Sequence, residues 1–140
     1  MVVIMRVKRI NHIAIAVENL DDAVDTFKQI LGIEPGEIKE VSDQKVRVAM
    51  FDVGGVYVEL IEPTSEDSPI YKFVKEKGGG LHHIAFSVSS LNDVIQKLEE
   101  KGFIWINKEP RIGAEGKPIA FLHPKSTKRV LIEFVEEGEE

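Results

Sequence analysis

The chain has 140 residues, a formal net charge of −6, 43% apolar residues and no cysteine. That length suits one ordinary domain or two small repeats sharing a core, and the acidic balance argues against nucleic acid as the main partner. Without cysteine, neither a disulfide framework nor a thiolate metal site can form, so any bound metal must rest on nitrogen and oxygen ligands.

The opening MVVIM is too short for a signal-peptide core, and no apolar run reaches membrane-spanning length. Both points predict a cytoplasmic protein with no membrane partner. The first strand is NHIAIAV, residues 11–17. A helix follows, with Leu20, Ala23, Val24, Phe27, Ile30 and Leu31 at the spacing of one buried face. Asn19 stands where an N-cap belongs, Asp22 lies near the positive end of the helix dipole, and Gly32 closes the helix. A short strand is expected around Glu37–Val41. The stretch VRVAMFDVGGVYVELIE, residues 46–62, reads as two strands joined by a Gly-Gly turn. Residues 62–80, EPTSEDSPIYKFVKEKGGG, read as a connection with a short helix near 69–77 and a flexible triple glycine.

The rest of the chain repeats the beginning. HIAFSVSSLNDVIQKLEEKGF (83–103) aligns with HIAIAVENLDDAVDTFKQILGI (12–33), placing His83 on His12, Ala85 on Ala14, Asp93 on Asp22 and Gly102 on Gly32. Leu91, Val94, Ile95 and Leu98 give the second helix its apolar face, and Ser90 its N-cap. A strand is expected around Trp105–Glu109, then a hairpin over KPIAFLHPKSTKRVLIEFVE (117–136) with a longer turn. Glu133 falls on Glu59 and Glu136 on Glu62, and the tail EEGEE reads as a solvated, frayed end. Each half is therefore β-α-β-β-β. The predicted organisation is one α+β domain over residues 1–140, with modules at 8–62 and 81–136 and a connection at 63–80. One module alone would bury too little surface to stand by itself.

Strand alternation then separates two faces. Ile13, Ile15 and Val17 share the bulky face of the first strand, leaving His12, Ala14 and Ala16 on the other. Ile84, Phe86 and Val88 are bulky in the second repeat, leaving His83, Ala85 and Ser87 opposite. His82 falls on the bulky face, aligned with Asn11 at the strand's edge. Glu59 and Glu133 sit in strongly apolar strands, where a lone buried carboxylate costs several kcal/mol or becomes protonated. Two imidazoles and two carboxylates at matching positions would be satisfied together by one divalent cation, with positions left for water or substrate.

With this repeat and these residues, the chain resembles the vicinal-oxygen-chelate (glyoxalase/bleomycin-resistance) superfamily over essentially its whole length. That resemblance implies two βαβββ modules forming an open, cup-shaped mixed sheet around a metal site. Its ligand pattern maps onto His12, Glu59, His83 and Glu133. The stretches NHIAIAV, EPTSEDSPIYKFV, KGGGLHHIAF and IGAEGKPIAFLHPKSTKRVLIEF resemble the methylmalonyl-CoA epimerase family in particular. The resemblance implies an isomerase that removes and returns the C2 proton of an acyl-CoA, with one divalent ion per chain. Cobalt or manganese is favoured, and nickel, iron or zinc would also suit the ligands. It casts Glu133 as a base as well as a ligand. The second base stays open, because Val48 stands where several bacterial epimerases have a glutamate; Glu59, Asp43 or water are the alternatives. Substrate contacts are expected from Gln44, Lys117, Lys125 and Ser126, with Lys128 and Arg129 as further cations for phosphates, and a homodimer is implied. His123 lies in the turn and is not expected to bind metal. Two rival readings are glyoxalase I, which uses the same proton-transfer logic on a glutathione hemithioacetal, and a metal-free binding module on the same fold.

Overall fold

A computed structural model of the chain describes residues 6–138; MVVIM and the last two residues of the EEGEE tail lie outside them. The chain divides into two compact units, His12–His82, and the residues from His83 onward together with those up to Asn11. The division cuts two strands, β1 (Arg9–Ala16) and β5 (Gly80–Val88), each just before its alternating-face histidine. No helix among the described residues is long and apolar enough to cross a membrane.

In the first unit β1 leads through helix α1 (Leu20–Leu31) to β2 (Lys39–Val41), β3 (Val46–Val53) and β4 (Val56–Pro63), then to the short helix α2 (Tyr71–Lys77). The strand order is β2-β3-β4-β1, with β1 parallel to β4 and the other pairs antiparallel. Parallel neighbours need a long crossover, and here α1 with the β2–β3 excursion supplies it. The β3–β4 turn uses Gly54 and Gly55, both at positive φ (65° and 94°), as a two-residue hairpin requires. Leu20, Ala49, Phe51 and Leu60 form the core under α1, with Ala23, Val24, Phe27 and Leu31 packed against it. Ile30 lies outside this core and is 67% exposed, contrary to the expected stripe. It sits about 100° around the helix from Leu31, beyond the buried face.

The second unit follows the same plan. From β5 the chain passes through α3 (Leu91–Glu100) to β6 (Arg111–Ile112), β7 (Pro118–Leu122) and β8 (Ile132–Glu136), ordered β5-β8-β7-β6, with β5 parallel to β8. Leu91, Val94, Ile95 and Leu98 bury against Trp105, Ala120, Leu122 and Phe134. The strand expected over Trp105–Glu109 does not form. Only Trp105 bridges, to Leu122, and the edge strand starts at Arg111. Pro110 interrupts this stretch, lacking a donor for a ladder and restricting Glu109 before it.

The helix ends match across the repeat. Asn19 Oδ1 accepts from the Asp22 N–H at 3.0 Å and Ser90 Oγ from the Asp93 N–H at 3.4 Å. Gly32 caps α1 in the left-handed region, whereas α3 ends on Lys101 and Gly102 (φ 92°) takes the left-handed position one residue later. A second cap was not anticipated. The Leu20 N–H donates to Glu62 Oε2 at 3.0 Å, and the Leu91 N–H donates to Glu136 Oε1 at 2.8 Å. Each module therefore ends on a carboxylate that satisfies an orphan donor at the start of its own helix. Gly79 (φ 113°) passes so close to β1 that a Cβ there would lie 2.6 Å from the Ala16 carbonyl oxygen, so the middle of the triple glycine is a close backbone approach. Removing the second-unit cap with Glu136→Ala is expected to lower urea-unfolding stability by about 1 kcal/mol, with no loss of folded secondary structure by circular dichroism.

Candidate functional site

Register, rather than sequence proximity, assembles the candidate residues. On β1, Ala14 pairs with Glu59 of β4; on β5, Ala85 pairs with Glu133 of β8. Each histidine stands two residues before its alanine, so it points to the same sheet face as the glutamate. In the first unit His12 Nε2 lies 3.7 Å from Glu59 Oε1. In the second, His83 Nε2 lies 2.8 Å from Glu133 Oε1, a hydrogen-bonding distance. All four side chains are buried, their residues between 4% and 7% exposed. Ala14 and Ala85 are fully buried beside them, so the face carries small residues next to each pair.

The surrounding residues follow from the same alternation. In the first unit Met50 pairs with Glu59, and Val48 pairs with Ile61. In the second, Phe121 pairs with Glu133 and sets its ring edge-on to the His83 imidazole, centroids 5.2 Å apart. Phe121 thus steers the His83 ring, a role that its place in the apolar run FL does not announce. Phe121 joins Ala85, Ile119 and Val135 in a small core. His82 points to the other side, as expected, with its ring edge-on to Phe73 of α2 at 5.0 Å. Asn11, its counterpart, is not an edge residue: it is fully buried, and its amide donates to Glu137 Oε2 at 3.1 Å.

The model of the glyoxalase/bleomycin resistance/dioxygenase superfamily matches residues 11–121. The chain belongs to that superfamily. Among its relatives are YqjC of Bacillus subtilis, 44% identical with 91% of each chain covered, and human mitochondrial methylmalonyl-CoA epimerase, 40% identical over 89% of this chain and 72% of the relative. A solved structure of a variant of Streptomyces coelicolor methylmalonyl-CoA epimerase in complex with 2-nitronate-propionyl-CoA superposes with a TM-score of 0.88 at 37% identity, covering 94% of this chain and 96% of that one.

The other expected site residues fall in three places. Gln44 lies in a 3-10 turn over Ser42–Gln44, where its carbonyl accepts from Ser68 Oγ at 3.2 Å. Lys125 and Ser126 lie in the 3-10 turn Pro124–Ser126, and Ser126 Oγ accepts from the Ile104 N–H at 2.9 Å. Lys117 stands between Glu115 and Glu137, 3.3 and 3.4 Å away; burial works against its charge, but the two carboxylates outweigh it and hold its pKa above the ordinary value.

Glu137 itself corrects the picture of a solvated tail. Arg9 grips its carboxylate from two nitrogens at 2.8 and 3.2 Å, Asn11 donates to it, and its own N–H donates to the Val88 carbonyl. Burial raises the carboxyl's pKa, but hydrogen bonds from Arg9 and Ser87 and the charges of Arg9 and Lys117 win, lowering it from 4.5 to about 2. Charge in EEGEE suggested solvent, yet Arg9, two positions before the buried Asn11, holds Glu137 from the other end of the chain. A carboxyl depressed on folding contributes stability that is present above its unfolded pKa and is lost as pH falls through the folded one. Glu137→Gln is therefore expected to lower unfolding free energy by up to roughly 3 kcal/mol at pH 7. The gap between wild type and variant should close between about pH 4.5 and about pH 2 in acid-titrated urea melts. A gap that stays constant over that window would show that Glu137 does not act through its charge.

Proposed function

We propose that the chain is a methylmalonyl-CoA epimerase, inverting C2 of its substrate by removing a proton from one face and returning one to the other. The observation that carries this reading is the buried histidine–glutamate pair at the same register in both units. Similarity to epimerases, one of them bound to an acyl-CoA analogue, supports the choice within the superfamily. In this reading His12, Glu59, His83 and Glu133 hold one divalent ion, cobalt or manganese by preference. The donor set fits such an ion: two imidazoles and two carboxylates give hard-to-intermediate ligands, and two negative charges offset the metal's own. Removing either partner from a buried pair would leave the other uncompensated. A cytoplasmic homodimer belongs to the same proposal.

The C2–H bond of methylmalonyl-CoA lies between a thioester carbonyl and a free carboxylate. Breaking it leaves the electron pair delocalised into the thioester as an enolate beside an existing negative charge, a species far too costly in water alone. The ion, when bound, supplies Lewis-acid stabilisation for that developing charge. Glu133 takes the proton on one face; a second group, left unassigned, delivers a proton to the other, and C2 inverts. The 2.8 Å contact from His83 gives Glu133 a neighbour that can share its charge. The small residues beside the pairs leave room for the reacting carbon, and the apolar neighbours Ile119, Phe121 and Val135 exclude water from the Glu133 side.

Exchange of the C2 proton of methylmalonyl-CoA with solvent deuterium, followed by NMR, tests this directly. Exchange is expected with cobalt or manganese present and is expected to stop with a chelator. Glu133→Gln should reduce the rate by about 100-fold or more. Turnover of a glutathione hemithioacetal with no exchange of the CoA ester would overturn the reading in favour of glyoxalase chemistry.

Metal stoichiometry gives a second check that does not depend on turnover. Titration of metal-free protein with cobalt is expected to show one ion per chain, and His83→Ala should weaken binding by about 100-fold or more while the variant stays folded. Equal cobalt affinity in wild type and variant would remove His83 from the ligand set.

A further inference from the structure

We infer that Glu115, in the turn between β6 and β7, is the second proton-carrying group of the site, facing Glu133 across an apolar floor made by Val135 and Ile119. This deepens the epimerase reading, which leaves that group open, and rests on it.

Strand register places the two carboxyls at either end of one surface. On β8, Glu133 and Val135 alternate onto the face that carries His83, and Glu137 follows on the same face. On β7, Phe121 pairs with Glu133 and Ile119 with Val135. The same register extended by two residues sets Lys117 opposite Glu137, and their side chains meet at 3.4 Å. The face is therefore layered: a polar row with Glu133, an apolar row with Val135 and Ile119, and a second polar row with Glu137 and Lys117. From Glu133 to Glu137 the chain spans at most about 14 Å. Glu115 joins the far row, its carboxylate 3.3 Å from Lys117 Nζ.

The turn is folded so that Glu115 comes inward. The Gly113 N–H donates to the Lys117 carbonyl at 2.9 Å, and the Gly116 N–H donates to the Gly113 carbonyl at 3.0 Å, which closes the hairpin tightly. A Cβ at Gly113 would lie 2.9 Å from Ile119 Cγ2, so the turn packs against the floor side chain itself. Glu115 stands in the middle of this turn, yet its side chain is only 18% exposed. The matching turn of the first unit joins β2 to β3 and carries Asp43, which is exposed. One position in the repeat thus gives its acid to solvent in the first unit and covers it in the second.

The neighbouring groups are already held. Arg9 and Asn11 grip the Glu137 carboxylate, and Lys117 keeps its proton between two carboxylates. Glu115 has Lys117 as its one ion-pair partner among the described residues, which aims the carboxylate without enclosing it. A second carboxyl also suits a reaction that must run both ways, because an acid and a base of one chemical kind favour neither direction. In one direction Glu133 begins ionised and Glu115 protonated. The C2–H bond breaks, its proton passes to Glu133, and its electron pair moves into the thioester carbonyl. The Glu115 O–H bond then breaks, and its proton forms the new C2–H bond on the opposite face. Glu133 is left protonated and Glu115 ionised, the state from which the reverse direction starts. The pair holds one proton throughout, as carboxyls sharing a site commonly do.

The test uses full-length, cobalt-loaded protein with each epimer of methylmalonyl-CoA supplied separately in deuterium oxide. NMR follows deuteration at C2, and a stereospecific coupled assay follows inversion. Wild type is expected to exchange and invert both epimers. Glu115→Gln should slow inversion about 100-fold or more, while the epimer whose proton faces Glu133 still exchanges within about tenfold of the wild-type rate and keeps its configuration. Glu115→Asp, which keeps the carboxyl but draws it back by one methylene, should invert about tenfold faster than Glu115→Gln. Cobalt is expected to bind wild type and Glu115→Gln equally, which reports a folded chain with its ion site intact. Exchange lost from both epimers together is the result of a merely structural role and overturns the assignment. Cobalt binding that weakens along with inversion overturns it as well, because Glu115 then acts through the ion. Inversion by Glu115→Gln at the wild-type rate overturns the assignment alone, whereas a wild type that exchanges neither epimer overturns the epimerase reading and the assignment with it.

Discussion

A carboxylate on an apolar strand must find positive charge or give up its own, and this constraint organises both units. Glu59 and Glu133 are nearly inaccessible to solvent and lie on strands otherwise built for burial. What brings each one to an imidazole is the parallel pairing of the first and last strands of its unit. Parallel pairing demands a crossover, the crossover contains the helix, and the helix claims the opposite sheet face for the core. The face with the histidines is then left to small residues. Core, crossover and polar pair are three consequences of one pairing.

The spacing E-x-x-E at the end of each module ties these consequences together. Glu59 and Glu62, like Glu133 and Glu136, are three residues apart on a strand, so their side chains leave opposite faces. The first meets the histidine. The second reaches back to the first N–H of the module's own helix. One strand end therefore fixes both the polar pair and the start of the crossover that created it. A register slip of one residue would send each glutamate to the opposite face and lose both functions at once.

Much of this was legible because it repeats. The periodic faces of α1 and α3, the Asn19 and Ser90 caps, the Gly54–Gly55 hairpin and the matched histidines all depend on short-range pattern, which a second copy reinforces. The alignment of Glu62 with Glu136 was equally visible, but its meaning was not, since a cap made by a residue some forty positions away is a tertiary fact. Asn11 looked like a strand edge and is buried because Glu137 arrives from the far end of the chain. Ile30 met a spacing rule while lying just off the stripe. A strand over Trp105–Glu109 was expected from its place between helix and hairpin in the repeat, but Pro110 follows it and the edge strand starts only at Arg111.

Duplication and departure from duplication do different work. In the proposed reading, a cation with several like ligands is served by two copies of the same pair, His12 with Glu59 and His83 with Glu133. The substrate proposed has no such symmetry: one end carries the reacting carbon, and the other carries phosphates. The second unit is also the one in which the histidine and glutamate are at hydrogen-bonding distance, and in which an aromatic ring braces the imidazole. The same unit exchanges a glycine turn for a braced cationic loop that ends two residues before its glutamate. These differences all fall on one side of the repeat, the arrangement expected if, as proposed, one half serves an unsymmetrical substrate while the other keeps the duplicated pair in its simpler form.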